Sequence, residues 1–315
     1  MTNENISELI RQLNRLDVDK ADYEYIVSIL RKAIKDVRVP VASSSTELYF
    51  RARICNGAKP GTVNELKAPP TELVKGFQRC NPPGVPMFYC ASRRISALLE
   101  CDAKKGDKVY LGQWLSRKPA PVNTIMLSDM SHNFNPRMTV RESSFYTYVD
   151  TIFTRPVHET FSNVYKITSA ATKVLTTGYK ISKEHYIGED CTVGILYPSV
   201  ANIEGSYNCA FHVSFADSKL VLLHVMELVV KSREGKKISV EVTDNAIEFP
   251  DGNIEWLNNP SAIPKLSKAI SGLTFISNGR SWVIPIRDNM PTSEEINELL
   301  NECTGGISHV PNLDR

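Results

Sequence analysis

The stretch Arg79-Cys80-Asn81-Pro82-Pro83-Gly84-Val85-Pro86-Met87-Phe88-Tyr89-Cys90-Ala91-Ser92-Arg93-Arg94-Ile95-Ser96-Ala97-Leu98-Leu99-Glu100 decides the fold class. Its first eight residues hold three prolines and a glycine, so the backbone there is a rigid turn. The apolar run Met87–Ala91 is short and bounded by turn residues, which predicts a buried strand. Ser92 can cap a helix from Arg93 to about Cys101, with Ile95, Leu98 and Leu99 on its core side.

Outward from this segment the elements do not alternate regularly. Upstream, Thr46–Ile54 alternates like a strand, after a linker marked by Val39-Pro40 and Ser43-Ser44-Ser45. Residues 1–38 predict a two-helix hairpin, with Asp17 or Asp19 as N-cap of the second helix. Asp17, Asp19 and Asp22 lack the glycine and closing glutamate of a calcium loop, so capping is their expected role. So short a hairpin cannot bury both apolar stripes alone, and a second copy of the chain is the expected cover. Downstream, Lys108–Leu115 reads as a strand and residues 140–180 as helical. Strands are expected at Thr192–Tyr197, Asn208–Phe215 and Leu220–Val230, and a hairpin at 236–257 with turn signals at Asp244-Asn245 and Pro250–Asn253. An amphipathic helix capped by Thr292 is expected at 292–303. The fold class is therefore α+β rather than a doubly wound parallel sheet. The divisions are an N-terminal helical hairpin (1–45), a central domain (46–235) with an insertion near 115–180, and a C-terminal α/β extension of hairpin and helix (236–315).

Composition excludes several classes. The 315 residues are 42% hydrophobic and 23% charged, ordinary globular usage. Lys and Arg total 37 against 35 Asp and Glu, a balance that gives no support to a nucleic-acid binder. Mean hydropathy is −0.21, and there is neither an apolar run of membrane-spanning length nor a secretory leader pattern. The seven cysteines show no C-x-x-C, and the six histidines no i, i+4 pair. Reduced thiols, a cytoplasmic location and no metal site are the expectations.

No Walker loop, G-x-G-x-x-G or G-x-S-x-G is present. What remains is a set of polar residues beside short apolar strands: Arg51 after Tyr49-Phe50, Arg79 in the Pro/Gly turn, Tyr89 on its strand, Glu100 closing Ala97-Leu98-Leu99, Ser199 after Tyr197-Pro198, and Asn208 opening the next strand. Singly, each has an ordinary structural role. In their order they resemble the RES domain, a family named for its Arg, Glu and Ser. The resemblance spans roughly residues 46–230, and its specific part is Arg79 to Glu100. It implies a fold similar to ADP-ribosyltransferases and an enzyme that consumes NAD, as toxin-like family members do. By position it implies catalytic roles for Glu100, Arg79, Tyr89 and Ser199, and NAD contacts for Arg51 and Asn208. Arg53 competes with Arg51 for the first family position.

These residue types suit that chemistry. Breaking the nicotinamide–ribose bond builds a cation-like sugar, which the carboxylate of Glu100 can stabilise. Guanidinium groups of Arg51 and Arg79 suit a pyrophosphate. Tyr89 can stack on nicotinamide or ribose, while Ser199 and Asn208 fix orientation. No cofactor is required, since NAD is the substrate. ADP-ribose would pass to water or phosphate in an NAD glycohydrolase or NAD phosphorylase. An ADP-ribosyltransferase acting on a protein and an inactive NAD-binding regulatory module are the alternatives. Expected partners are NAD, inorganic phosphate, a cognate antitoxin protein and further copies of the chain, with no nucleic acid and no membrane.

Overall fold

The computed structural model describes residues 5–38, 41–44, 48–116, 120–125, 138–155, 159–177, 193–199 and 206–258, and three short strands at 269–270, 273–276 and 281–283. The chain is α+β, with mostly antiparallel sheet. It divides into two compact units that interleave along the sequence: Met1–Ser43, Pro69–Tyr89 and Ala120–Val213 form one, while Ser44–Ala68, Cys90–Pro119 and Ser214–Arg315 form the other. This division cuts across the three consecutive segments expected from the sequence. The helix expected at 292–303 lies outside the described residues.

In the first unit the strands are β1 (Val41–Ser44), β5 (Ala120–Thr124), β6 (Gly194–Pro198), β7 (Tyr207–His212) and the start of β3 (Met87–Ala91), in that order across the sheet. The expected linker around residue 43 thus contains strand β1. β5 and β6 run parallel, with Val122 opposite Gly194. Parallel neighbours need a long crossover, and helices α4 (Val140–Thr154) and α5 (Tyr165–Thr177) lie in it. The segment expected to be an insertion is therefore part of the core. Phe145, Tyr146, Val149, Phe153, Ala170, Ala171, Val174 and Leu175 are all buried. Gly194 is required where it stands, because a Cβ there would lie 2.3 Å from the Ala210 carbonyl oxygen on β7.

The N-terminal hairpin, α1 (Ile6–Arg15) and α2 (Tyr23–Ile34), belongs to this unit. The second N-cap is Asp22, whose side chain accepts from the Tyr25 N–H at 2.9 Å, not Asp17 or Asp19. Lys166 Nζ donates to the Val18 and Ala21 carbonyls at 2.7 and 3.2 Å, fixing the turn between the helices. The stripes Ile6-Leu9-Leu13 and Ile26-Val27-Ile29-Leu30-Ala33-Ile34 join one cluster with α4 and α5. The cover expected from a second copy is supplied by the same chain.

In the second unit β2 (Leu48–Ile54) pairs antiparallel with β4 (Lys108–Ser116), which pairs with β8 (Leu220–Glu234), which pairs with β9 (Lys237–Ala246). Ala91, the last residue of β3, lies opposite Phe50. The β8–β9 turn is at Gly235, whose φ of 59° suits glycine, so Asp244 and Asn245 stand inside β9 rather than at a turn. Val213–Phe215, expected as strand, opens the short helix α6 (Val213–Lys219). Strands β10 (Ala269–Ile270), β11 (Leu273–Ile276) and β12 (Ser281–Val283) form a small antiparallel sheet. Helix α3 (Arg94–Glu100) starts one residue later than expected, after Arg93 rather than a Ser92 cap. Its Ala97 and Leu98 pack with Phe50, Ala91, Val109, Leu111, Met226, Leu228 and Val230. No helix among the described residues is long and apolar enough to cross a membrane.

Candidate functional site

The rigid turn before β3 organises a polar cluster in the first unit. Gln78 and Asn81 close the turn as an isolated bridge. The Cys80 N–H donates to the Tyr89 hydroxyl oxygen at 2.9 Å, and that hydroxyl donates to Asn81 Oδ1 at 2.5 Å. The turn from Cys80 to Pro86 is thus tied back onto the strand that follows it. The Cys80 thiol lies against the hydroxyls of Thr172, Tyr89 and Tyr197, and burial pushes it up to about 12. It is a protonated core thiol at neutral pH, not a nucleophile.

Arg79, beside it, donates to the carbonyl oxygen of Phe153 and to the Tyr165 hydroxyl at 3.3 Å. Its guanidinium also stands 5.0 Å from the centre of the Tyr165 ring. All these partners are neutral, so among the described residues no carboxylate cancels this charge.

The β6–β7 ladder places two more expected residues in the same unit. Tyr197 lies opposite Asn208, so the two share a face, and Ser199 is the buried residue just past the end of β6. That face also carries Ile195, Tyr197 and Ala210 of the cluster with α4 and α5. The Tyr197 ring meets that of Phe153 at a tilt, centres 5.7 Å apart, and Phe153 is the residue whose carbonyl holds Arg79. Asn208 is 3% exposed, and its Oδ1 has no hydrogen-bond partner among the described residues. Such an orphan is costly, about 1–3 kcal/mol for a buried acceptor.

The remaining expected residues belong to the second unit, and it does not bring them together. Leu48, Phe50, Ala52 and Ile54 pack toward α3, so Arg51 and Arg53 project from the opposite face of β2. Arg51 Nε donates to the Leu66 carbonyl at 3.1 Å, and Arg53 to that of Glu65. Both therefore brace the 62–67 turn, a role the sequence offered no way to separate from phosphate binding. Glu100 is the exposed last residue of α3 and so belongs to the covered side of the sheet, away from both arginines.

No family model, curated protein or solved structure matches the chain. Its site is therefore defined by its own geometry.

The second unit also holds a buried charge cluster absent from the sequence expectations. Arg53, Tyr110, Glu227 and Asp244 form a row of register partners across β2, β4, β8 and β9. Lys59 Nζ stands 2.5 Å from Asp244 Oδ2, 3.2 Å from Glu227 Oε2 and 4.3 Å from the centre of the Trp256 ring. The Tyr110 hydroxyl donates to Glu227 Oε2 at 3.2 Å and the Thr243 hydroxyl to Glu227 Oε1 at 2.8 Å, while Trp256 Nε1 donates to the Pro60 carbonyl at 2.8 Å. Its bonds are met internally, so it reads as a clasp that pins the 58–62 loop. The signal available in the sequence was one glutamate inside the apolar strand Leu220–Val230. Among the described residues no group of three or more His, Cys, Asp or Glu could hold a metal ion.

Proposed function

We propose that the chain is an NAD-consuming enzyme of the RES type, cleaving the nicotinamide–ribose bond and passing ADP-ribose to water or phosphate. The observation that carries the reading is the buried, unpartnered Oδ1 of Asn208, on the strand paired with the one that ends just before Ser199. A ribose hydroxyl or the carboxamide of nicotinamide is a donor of the kind this acceptor lacks. Arg79, held by neutral oxygens and stacked on Tyr165, keeps a full positive charge for pyrophosphate. Tyr89 then orients the Cys80–Asn81 turn that aims Arg79, rather than stacking freely on the substrate. Glu100 is assigned as the carboxylate that stabilises the cation-like ribose, on its place in the order Arg79, Tyr89, Glu100 along the chain. Arg51 and Arg53, engaged by the 62–67 turn, drop to a supporting role.

The placement of Glu100 and the two arginines on opposite faces of β2 favours one second reading, an NAD-binding module without turnover. Incubation of the purified chain with NAD, with and without inorganic phosphate, separates the two. Mass analysis showing free nicotinamide with ADP-ribose, or its phosphorylated form, supports the enzyme. Intact NAD that nevertheless binds supports the module. Intact NAD with no binding removes both.

A further inference from the structure

We propose that the groove between α1 and α4 is a binding site for a small polyhydroxylated anion, a sugar phosphate or a sugar acid. The groove has a volume of about 510 Å³, within the range of small-molecule sites. It lies within the first unit and adjoins the Arg79 cluster at Arg155, whose backbone carbonyl accepts from Arg79 at 3.5 Å. Helix α4 gives it Ser144, Thr147 and Thr151, at the three- and four-residue steps that align side chains on one helix face. From α1 it takes Asn14. Ile10 and Ile152 supply an apolar patch suited to the C–H face of a sugar. Arg155 caps α4 at one end of this row. Its guanidinium has no ion pair or hydrogen bond among the described residues, and no acidic side chain lines the groove.

Tyr148 forms part of the wall. It is 8% exposed, and its hydroxyl has no hydrogen-bond partner among the described residues. A buried donor left unmade is a cost, and because the hydroxyl has no open surface in the groove, an oxygen-rich ligand removes that cost only by drawing the Tyr148 ring toward it. Neutral hydroxyls and a carboxamide with one cation match a ligand of many hydroxyls and one anionic group. A nucleobase or an acyl chain would leave most of these polar groups unpaired.

The inference does not depend on NAD turnover. It is tested by calorimetric titration of the full chain with glucose 6-phosphate and with gluconate, using glucose and inorganic phosphate as controls. Binding of either anionic sugar at least tenfold tighter than both controls is expected; which one binds distinguishes the phosphate from the carboxylate source. Arg155→Ala should weaken that binding tenfold or more, and Tyr148→Phe, which keeps the ring, severalfold. Unchanged affinity in Arg155→Ala, or affinity no better than for the controls, overturns the proposal. Activity toward NAD, measured in parallel on Arg155→Ala, reports on the other site.

Discussion

At the residue scale, Asn208 separates a structural from a functional role. Its orphaned Oδ1 costs stability in the free chain, so Asn208→Leu, of similar shape and without the polar atom, should leave Tm unchanged or higher. The same change should weaken NAD binding about tenfold, the loss of one good hydrogen bond. Calorimetry and thermal melts on one preparation check both halves; a large fall in Tm with unaltered affinity would mark Asn208 as a core residue whose acceptor is met within the fold. Glu100→Gln should keep the fold, since the residue is exposed at a helix end, and lower turnover by about 10²–10³. Arg79, Tyr89, Ser199 and Asn208, singled out from the sequence, fall in one unit. What the sequence withheld is where their polar groups go. Nothing in a linear string says that Tyr89 is spent on Asn81, or that Arg51 and Arg53 are spent on carbonyls of a turn twelve to sixteen residues away.

At the element scale, Glu142 ties α4 to the end of the N-terminal hairpin. Arg38 meets it with three bonds, backbone N–H to Oε1 at 3.1 Å, Nε to Oε1 at 2.6 Å and Nη2 to Oε2 at 2.8 Å, and Glu142 also closes a capping box with Thr139. The Arg38 guanidinium is the largest cause that pulls this carboxyl from its ordinary 4.5 to about 2. A depressed carboxylate stabilises the fold fully above its unfolded value. That contribution should therefore be complete above about pH 4.5 and fade as pH falls toward about 2. Glu142→Gln should lose about 1–3 kcal/mol at pH 7 and flatten the acid limb of the stability curve, read from urea melts between pH 2 and 7. An acid limb identical to that of the parent would place the pH dependence elsewhere. In the other unit, Lys59→Met leaves Glu227 and Asp244 buried without their cation and should cost about 2–3 kcal/mol, again by urea melts; an unchanged midpoint would show that the clasp contributes nothing. The sequence exposed strands β2, β3, β4 and β6 through short apolar or alternating runs. It hid the role of residues 140–177, because a polar helix with buried threonines, such as Thr172 and Thr176 bonded back to their own helix, has the composition of a surface insertion.

At the scale of the whole molecule, the chain leaves and re-enters each unit, so neither unit is a contiguous stretch of sequence. The Ser43-Ser44-Ser45 stretch marks one crossing and Pro69 opens another, but the crossings inside strand β3 and helix α6 carry no such signal in the sequence. Removing residues 1–38 strips α1 and α2 from the cluster that holds Phe145, Val149 and Ala170. The truncated chain should lose its cooperative melt and its solubility; a soluble remnant with the parent's melt would mean that the hairpin is an appendage after all. Because both hairpin stripes are used within the unit, any assembly of copies must employ another surface. The central claim, that this chain consumes NAD, is met most directly by the rate of free nicotinamide release from NAD by the full chain beside Glu100→Gln at matched folding. The account predicts steady release by the parent and a fall of about 10²–10³ in the variant; no release by the parent, or equal release by both, would contradict it.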